Sequence, residues 1–162
     1  YFSAARSLEL AGGDSLSVLA LLDSVIVRLP QPVSARHAQY YLERAVRLLR
    51  AQQYRAAVYD YNEYEKAIGP RNLNERFYYL RYQAEMQGRM YQQALDDIRT
   101  AAALAADARP YRQQEVIMLL QVGEWAEAEQ AAQAMVRQWP DDAECQSLLQ
   151  LVREQKAKAS QK

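Results

Sequence analysis

The chain of 162 residues contains one histidine, His37, and one cysteine, Cys145. A lone histidine cannot assemble a zinc site without Cys or carboxylate partners at ligand spacing, and a lone cysteine offers neither a disulfide nor a CxxC redox pair within the chain. Glycine is also scarce: the five residues are scattered at turns, and none belongs to a phosphate-cradling loop. No apolar run approaches the ~20 residues of a membrane span. The net charge is zero, so nothing draws the whole chain to nucleic acid or an anionic membrane. No nucleophile-elbow motif is present, and the carboxylate pairs Asp96-Asp97 and Asp141-Asp142 fall where a helix surface or an N-cap accounts for them. No alternating run bounded by turns argues for a strand. These absences speak against an enzyme: no catalytic residue, no metal ligand set and no cofactor is expected. His37 reads as a surface or cap residue and Cys145 as a small core residue.

What the chain does contain is a recurring phrase of an aromatic, two variable residues and an alanine. It stands at Tyr54-Arg55-Ala56-Ala57, Tyr91-Gln92-Gln93-Ala94 and Trp125-Ala126-Glu127-Ala128, with the aromatics 37 and then 34 residues apart. A degenerate earlier copy has Ser15 and Val18 at the phrase positions, because Gly13 and Pro30 repeat the 17-residue spacing of Gly123 and Pro140. A period in this range marks an array of helical hairpins, in which no unit buries its apolar face alone. Downstream of each alanine, apolar residues recur at helical spacing: Leu22 and Val25, Tyr61 and Tyr64, Ile98 and Ala101, Ala132 and Met135. The alanine lets two helices approach closely, the aromatic seals the turn between them, and the proline ends the second helix.

The upstream segments have the same period. Ala38, Tyr41, Leu42, Ala45, Leu48 and Leu49 form one stripe, Phe77, Leu80 and Ala84 a second, and Val116, Ile117, Leu119, Leu120 and Val122 a third. Asn74 and Asp142 precede helices as N-caps. After Pro140 a last helix is expected over about 143–158, with Cys145, Leu148, Leu149 and Val152 on a single apolar stripe and a disordered polar tail beyond.

These residues resemble the tetratricopeptide-repeat family, whose 34-residue unit is a helix–turn–helix with an aromatic at the turn, an alanine three later and a terminal proline. The resemblance implies an all-α, right-handed solenoid in one domain, with hairpins at about 1–32, 38–70, 74–107 and 109–142 and a capping helix. The last hairpin matches best, with Gly123, Trp125, Ala128 and Pro140. The second has Gly69-Pro70 in place of the terminal proline, and the first lacks the turn aromatic. In the third, Gly88 stands three residues before Tyr91 and not two, which reads as one extra residue in the turn, and Ala106 replaces proline. The resemblance implies a non-catalytic module that binds a protein or peptide on a concave face. The alternatives are a cell-envelope assembly lipoprotein, like the repeat proteins that help assemble outer-membrane proteins, and an accessory domain of a larger enzyme or signalling protein.

Ten of the twelve tyrosines fall between 40 and 91. The repeat spacing makes Tyr41, Tyr54, Tyr61, Tyr64 and Tyr91 core. Tyr78 and Tyr82, continued by Met86, lie on a stripe beside Phe77, Leu80 and Ala84. By the resemblance, that stripe and the equivalent Leu42, Val46 and Leu49, then Gln113, Ile117 and Leu120, line the concave groove, edged by Arg50 and Gln121. Tyrosine suits a binding face, with large contact area, few rotamers and a polar tip. The carboxylate clamp of some family members is missing: Leu42, Glu43, Val46, Glu75 and Tyr79 occupy its positions. Charge is uneven, with 13 basic and 9 acidic residues over 36–112 against 2 basic and 8 acidic over 113–155. Solvated helix faces account for this, while a bipolar chain could also associate weakly head to tail. The first residue is Tyr1, so a signal peptide or anchor could lie upstream, and this leans toward an extracytoplasmic location.

Overall fold

The computed structural model describes residues 15–162, and all regular structure among them is helical. The helices are α1 (Ser15–Ile26), α2 (Gln39–Arg50), α3 (Tyr54–Ile68), α4 (Glu75–Gln87), α5 (Tyr91–Leu104), α6 (Arg109–Val122), α7 (Trp125–Gln138) and α8 (Ala143–Ser160), with a 3₁₀ turn at Pro70–Asn72. The helix expected ahead of Gly13 lies outside the described residues. Two compact units result, one ending at Leu73 and one spanning Asn74–Lys162. In the first, α2 packs on α1 and α3; in the second, each helix from α4 to α8 packs on the next.

The phrase alanines Ala57, Ala94 and Ala128 are fully buried. Nearly all the apolar residues spaced from them are buried as well: Leu22, Val25, Tyr61, Ile98, Ala101, Ala132 and Met135. The turn aromatics behave differently. Tyr91 is 41% exposed, and Tyr54 and Tyr64 are only half-buried, so of the five tyrosines expected in the core only Tyr41 and Tyr61 are there. At Gly123 the Trp125 indole lies 3.7 Å from where a Cβ would stand, so the aromatic covers the turn and does not enter the core.

The three described phrase turns have one geometry. A residue two before each aromatic takes a left-handed conformation: Gln52 at φ 61°, Arg89 at φ 60° and Gly123 at φ 79°. The following N–H then reaches back to close the helix end, Gln53 to the Leu48 carbonyl at 2.9 Å, Met90 to Glu85 at 2.8 Å and Glu124 to Leu119 at 2.9 Å. This is the Schellman closure, which satisfies otherwise orphaned carbonyls. Gly88 has φ −78° and is not the left-handed residue of its turn. The third hairpin therefore has no extra residue: Arg89 occupies the place of Gly123, although glycine is the residue that does so without steric cost.

Both expected N-caps form. Asn74 accepts from the Phe77 N–H at 3.0 Å, and Asp142 from Glu144 at 2.9 Å and Cys145 at 3.3 Å. The last helix continues to Ser160, past the point where the tail was expected to lose order. Cys145 and Val152 are buried against α7, and Leu148 and Leu149 pack beside them. Glu129 of α7 holds Arg153 at 3.2 Å and Lys156 at 2.6 Å. No helix among the described residues is long and apolar enough to cross a membrane.

Candidate functional site

Because the left-handed residue fixes the turn, counting back from each aromatic aligns the first helices of the three hairpins without gaps. Leu42 then corresponds to Tyr79 and Gln113, Val46 to Gln83 and Ile117, Leu49 to Met86 and Leu120, and Arg50 to Gln87 and Gln121. The first three rows are half-buried in every hairpin, and Arg50, Gln87 and Gln121 are exposed. Spacing at i, i+4 and i+7 places each set on one helix stripe.

This alignment moves two of the expected site residues. Tyr78 falls in the row of Tyr41, and Tyr82 in the row of Ala45 and Val116, which are packing positions. Tyr78 is 8% and Tyr82 5% exposed, and Tyr82 belongs to the core cluster of its unit with Leu95, Ile98 and Leu119. Burial pushes the Tyr82 hydroxyl up to about 12. The expected placement aligned Gly88 with Gly123 and so slipped by one residue. On a helix that slip turns a side chain by about 100°. The face residue of α4 is Tyr79, which the clamp comparison alone had placed at a groove position.

Tyr79 is held by its neighbours. Its ring stacks on Tyr82 at 5.9 Å and meets Tyr111 of α6 edge-on at 5.5 Å. In the second unit Tyr79, Met86, Tyr111 and Leu120 all rest on the core cluster while keeping part of their surface in solvent. Around them stand Gln83, Gln113, Gln87 and Gln121, amides that can both donate and accept. In the first unit Leu42, Val46 and Leu49 occupy the same rows of α2, and Arg50 extends their line.

The buried charges went unseen in the sequence. Ten residues before the aromatic stand Arg44, Arg81 and Glu115, and six after it stand Asp60, Asp97 and Ala131. Arg44 grips Asp60 through two bonds of 2.7 and 2.8 Å and reaches Asp23 at 2.9 Å. Arg81 grips Asp97 at 2.6 and 2.9 Å and lies over the rings of Phe77 at 5.0 Å and Tyr78 at 5.6 Å. Tyr78 thus serves as a platform for a buried guanidinium, as Tyr41 does for Arg44 at 5.8 Å. In the last hairpin the polarity reverses: Glu115 accepts from Arg99 at 2.7 Å and Arg112 at 3.0 Å. With Ala131 where the other hairpins have an aspartate, a cleft of about 570 Å³ opens beside Arg99, Arg112, Glu115 and Met135. The repeated Arg-to-Asp spacing of 16 residues was the available signal.

Glu85 lies beside this network, 3% exposed, with Oε1 3.9 Å from Arg81 Nε. Burial, and then the neighbouring Asp97 carboxylate, push its carboxyl up to about 9. A proton on Glu85 removes one of two facing negative charges and supplies a donor toward Asp97. Cys145 is buried, and burial raises its thiol pKa, which suits packing and not nucleophilic attack. Among the described residues no group of three or more His, Cys, Asp or Glu is placed to hold a metal ion.

No protein-family model matches the sequence, and no curated protein matches it. Solved structures match the fold. One is YrrB, described as a TPR protein with an unusual peptide-binding site, at TM-score 0.67 and 18% identity, covering 94% of this chain and 74% of that one. Another is MamA, at TM-score 0.69 and 15% identity, covering 94% of this chain and 84% of that one. At such identities the likeness shows the fold alone, and that fold is the tetratricopeptide-type array of helical hairpins.

Proposed function

We propose that the chain is a non-catalytic interaction module in which the first-helix stripes of each unit bind an apolar peptide segment. In the second unit the anchoring residues are Tyr79, Met86, Ile117 and Leu120. In the first they are Leu42, Val46 and Leu49, with Arg50 extending the line. The observation that carries the reading is that seven of the nine half-buried stripe positions, all but Gln83 and Gln113, hold apolar or aromatic side chains that keep part of their surface in solvent. Docking of apolar anchors into such a surface is an established recognition mode. The glutamines at Gln83, Gln87, Gln113 and Gln121 suit hydrogen bonds to a peptide backbone, because each amide offers a donor and an acceptor. That YrrB has a peptide-binding site is consistent with this use of the fold.

The test is selection of a displayed peptide library on the full chain, followed by amide chemical-shift mapping with a selected peptide. The expected result is selection of apolar peptides whose binding shifts the amides of α4 and α6 around Tyr79, Met86, Ile117 and Leu120. Shifts confined to the far side of α8, around Leu151, would overturn the reading.

A further inference from the structure

Among the described residues of the first unit, basic side chains outnumber acidic ones. All five of its described acidic side chains are engaged: Asp23 and Asp60 by Arg44, Glu43 by Arg47, Glu63 by Lys66, and Glu65 is likewise not without a partner. Five arginines, Arg28, Arg36, Arg50, Arg55 and Arg71, are exposed and make no side-chain hydrogen bond or ion pair to another described residue. Two of these flank the same turn. Arg50 is the last residue of α2, and Arg55 the second of α3. Arg50 is also the single charged residue among the twelve aligned stripe positions, and it follows Val46 by one helical turn. The equivalents Gln87 and Gln121 are neutral.

We infer that Arg50 and Arg55 form an acidic-residue subsite, so that the peptide bound along α2 carries Asp or Glu beside its apolar anchors. This rests on the peptide-binding reading above and deepens it. An exposed guanidinium is matched in charge and geometry by a carboxylate, which can take two parallel N–H bonds. A protein segment fits better than nucleic acid. The chain carries no net charge, so nothing sustains the run of phosphate contacts that a nucleic acid strand needs. An acidic peptide needs only the two arginines. Exposed charge pairs are individually weak, so each arginine should account for about a two- to fivefold change in affinity, fading as salt rises.

The experiment repeats the library selection on the wild-type chain and on the Arg50→Gln, Arg55→Gln double variant. Wild type should enrich apolar peptides with Asp or Glu beside the anchors, and the double variant apolar peptides without that enrichment. Poly-L-glutamate, added to the wild type at low salt, should shift the amides around Arg50 and Arg55. The double variant should bind it several-fold more weakly, and high salt should abolish the effect. Apolar peptides with no acidic preference on the wild type would overturn this inference and leave the stripe intact. Failure to select apolar peptides, with poly-L-glutamate still binding, would overturn the stripe and leave the subsite. Tighter binding of single-stranded poly(dT) than of poly-L-glutamate would overturn the choice of an acidic protein partner.

Discussion

At the residue scale, two adjacent kinds of tyrosine do opposite jobs on α4. Tyr82 is buried in the core cluster, whereas Tyr79 keeps part of its ring in solvent. Tyr82→Ala should therefore cost ~3–5 kcal/mol, the range for truncating a large aromatic in a core. Tyr79→Ala should cost about 1 kcal/mol, the worth of its two ring contacts. Chemical denaturation of the two variants side by side checks this, and equal losses would contradict it. Glu85 makes a prediction about pH. Its folded pKa of about 9 lies above the ordinary glutamate value of 4.5, so the folded state holds the proton more tightly. The stability tied to that proton is complete below about pH 4.5 and is lost as pH rises through about 9. Glu85→Gln should flatten this slope and raise stability near pH 7 by on the order of 2 kcal/mol. Denaturation midpoints across that range measure it, and an unchanged slope would contradict the protonated assignment. Little of this network was legible in the sequence. Arg81 and Asp97 look like ordinary surface residues until the helices that bring them together are placed.

At the element scale, the hairpin is specified by very few residues. Ala57, Ala94 and Ala128 were readable because a small residue at fixed distance from an aromatic has a steric meaning that survives without coordinates. The turn was readable in kind but misplaced by one residue in the third hairpin, because glycine was taken as the marker of the left-handed position. There Arg89 bears the positive φ and Gly88 does not. A non-glycine residue in that conformation costs roughly 1–2 kcal/mol. Arg89→Gly should thus stabilise by about 1 kcal/mol, and Gly123→Ala should destabilise by a similar amount. Thermal midpoints of the two variants should move in opposite directions, and movement in the same direction would mean that the turns are not equivalent. Tyr78 and Tyr82 were assigned to the binding face for the same reason that the turn was misplaced.

At the scale of the whole molecule, the helical hairpin pattern was fully legible, since every periodic segment has helical spacing and the solved structures share the fold. The stripe proposed for binding was less legible, because apolar residues of a binding face and of a packing face differ only in residual exposure. The proposal keeps Leu42, Val46, Leu49, Met86, Ile117 and Leu120 as the sequence placed them, while Tyr79 enters it through the turn geometry. The most direct test is a binding titration of a library-selected peptide against the Met86→Glu, Leu120→Glu double variant. The control is Tyr59→Glu, a change at an exposed aromatic outside the stripe. If the stripe is the binding face, the double variant binds at least about tenfold more weakly, corresponding to about 1.4 kcal/mol, and the control binds as wild type. Wild-type affinity in the double variant would contradict the account.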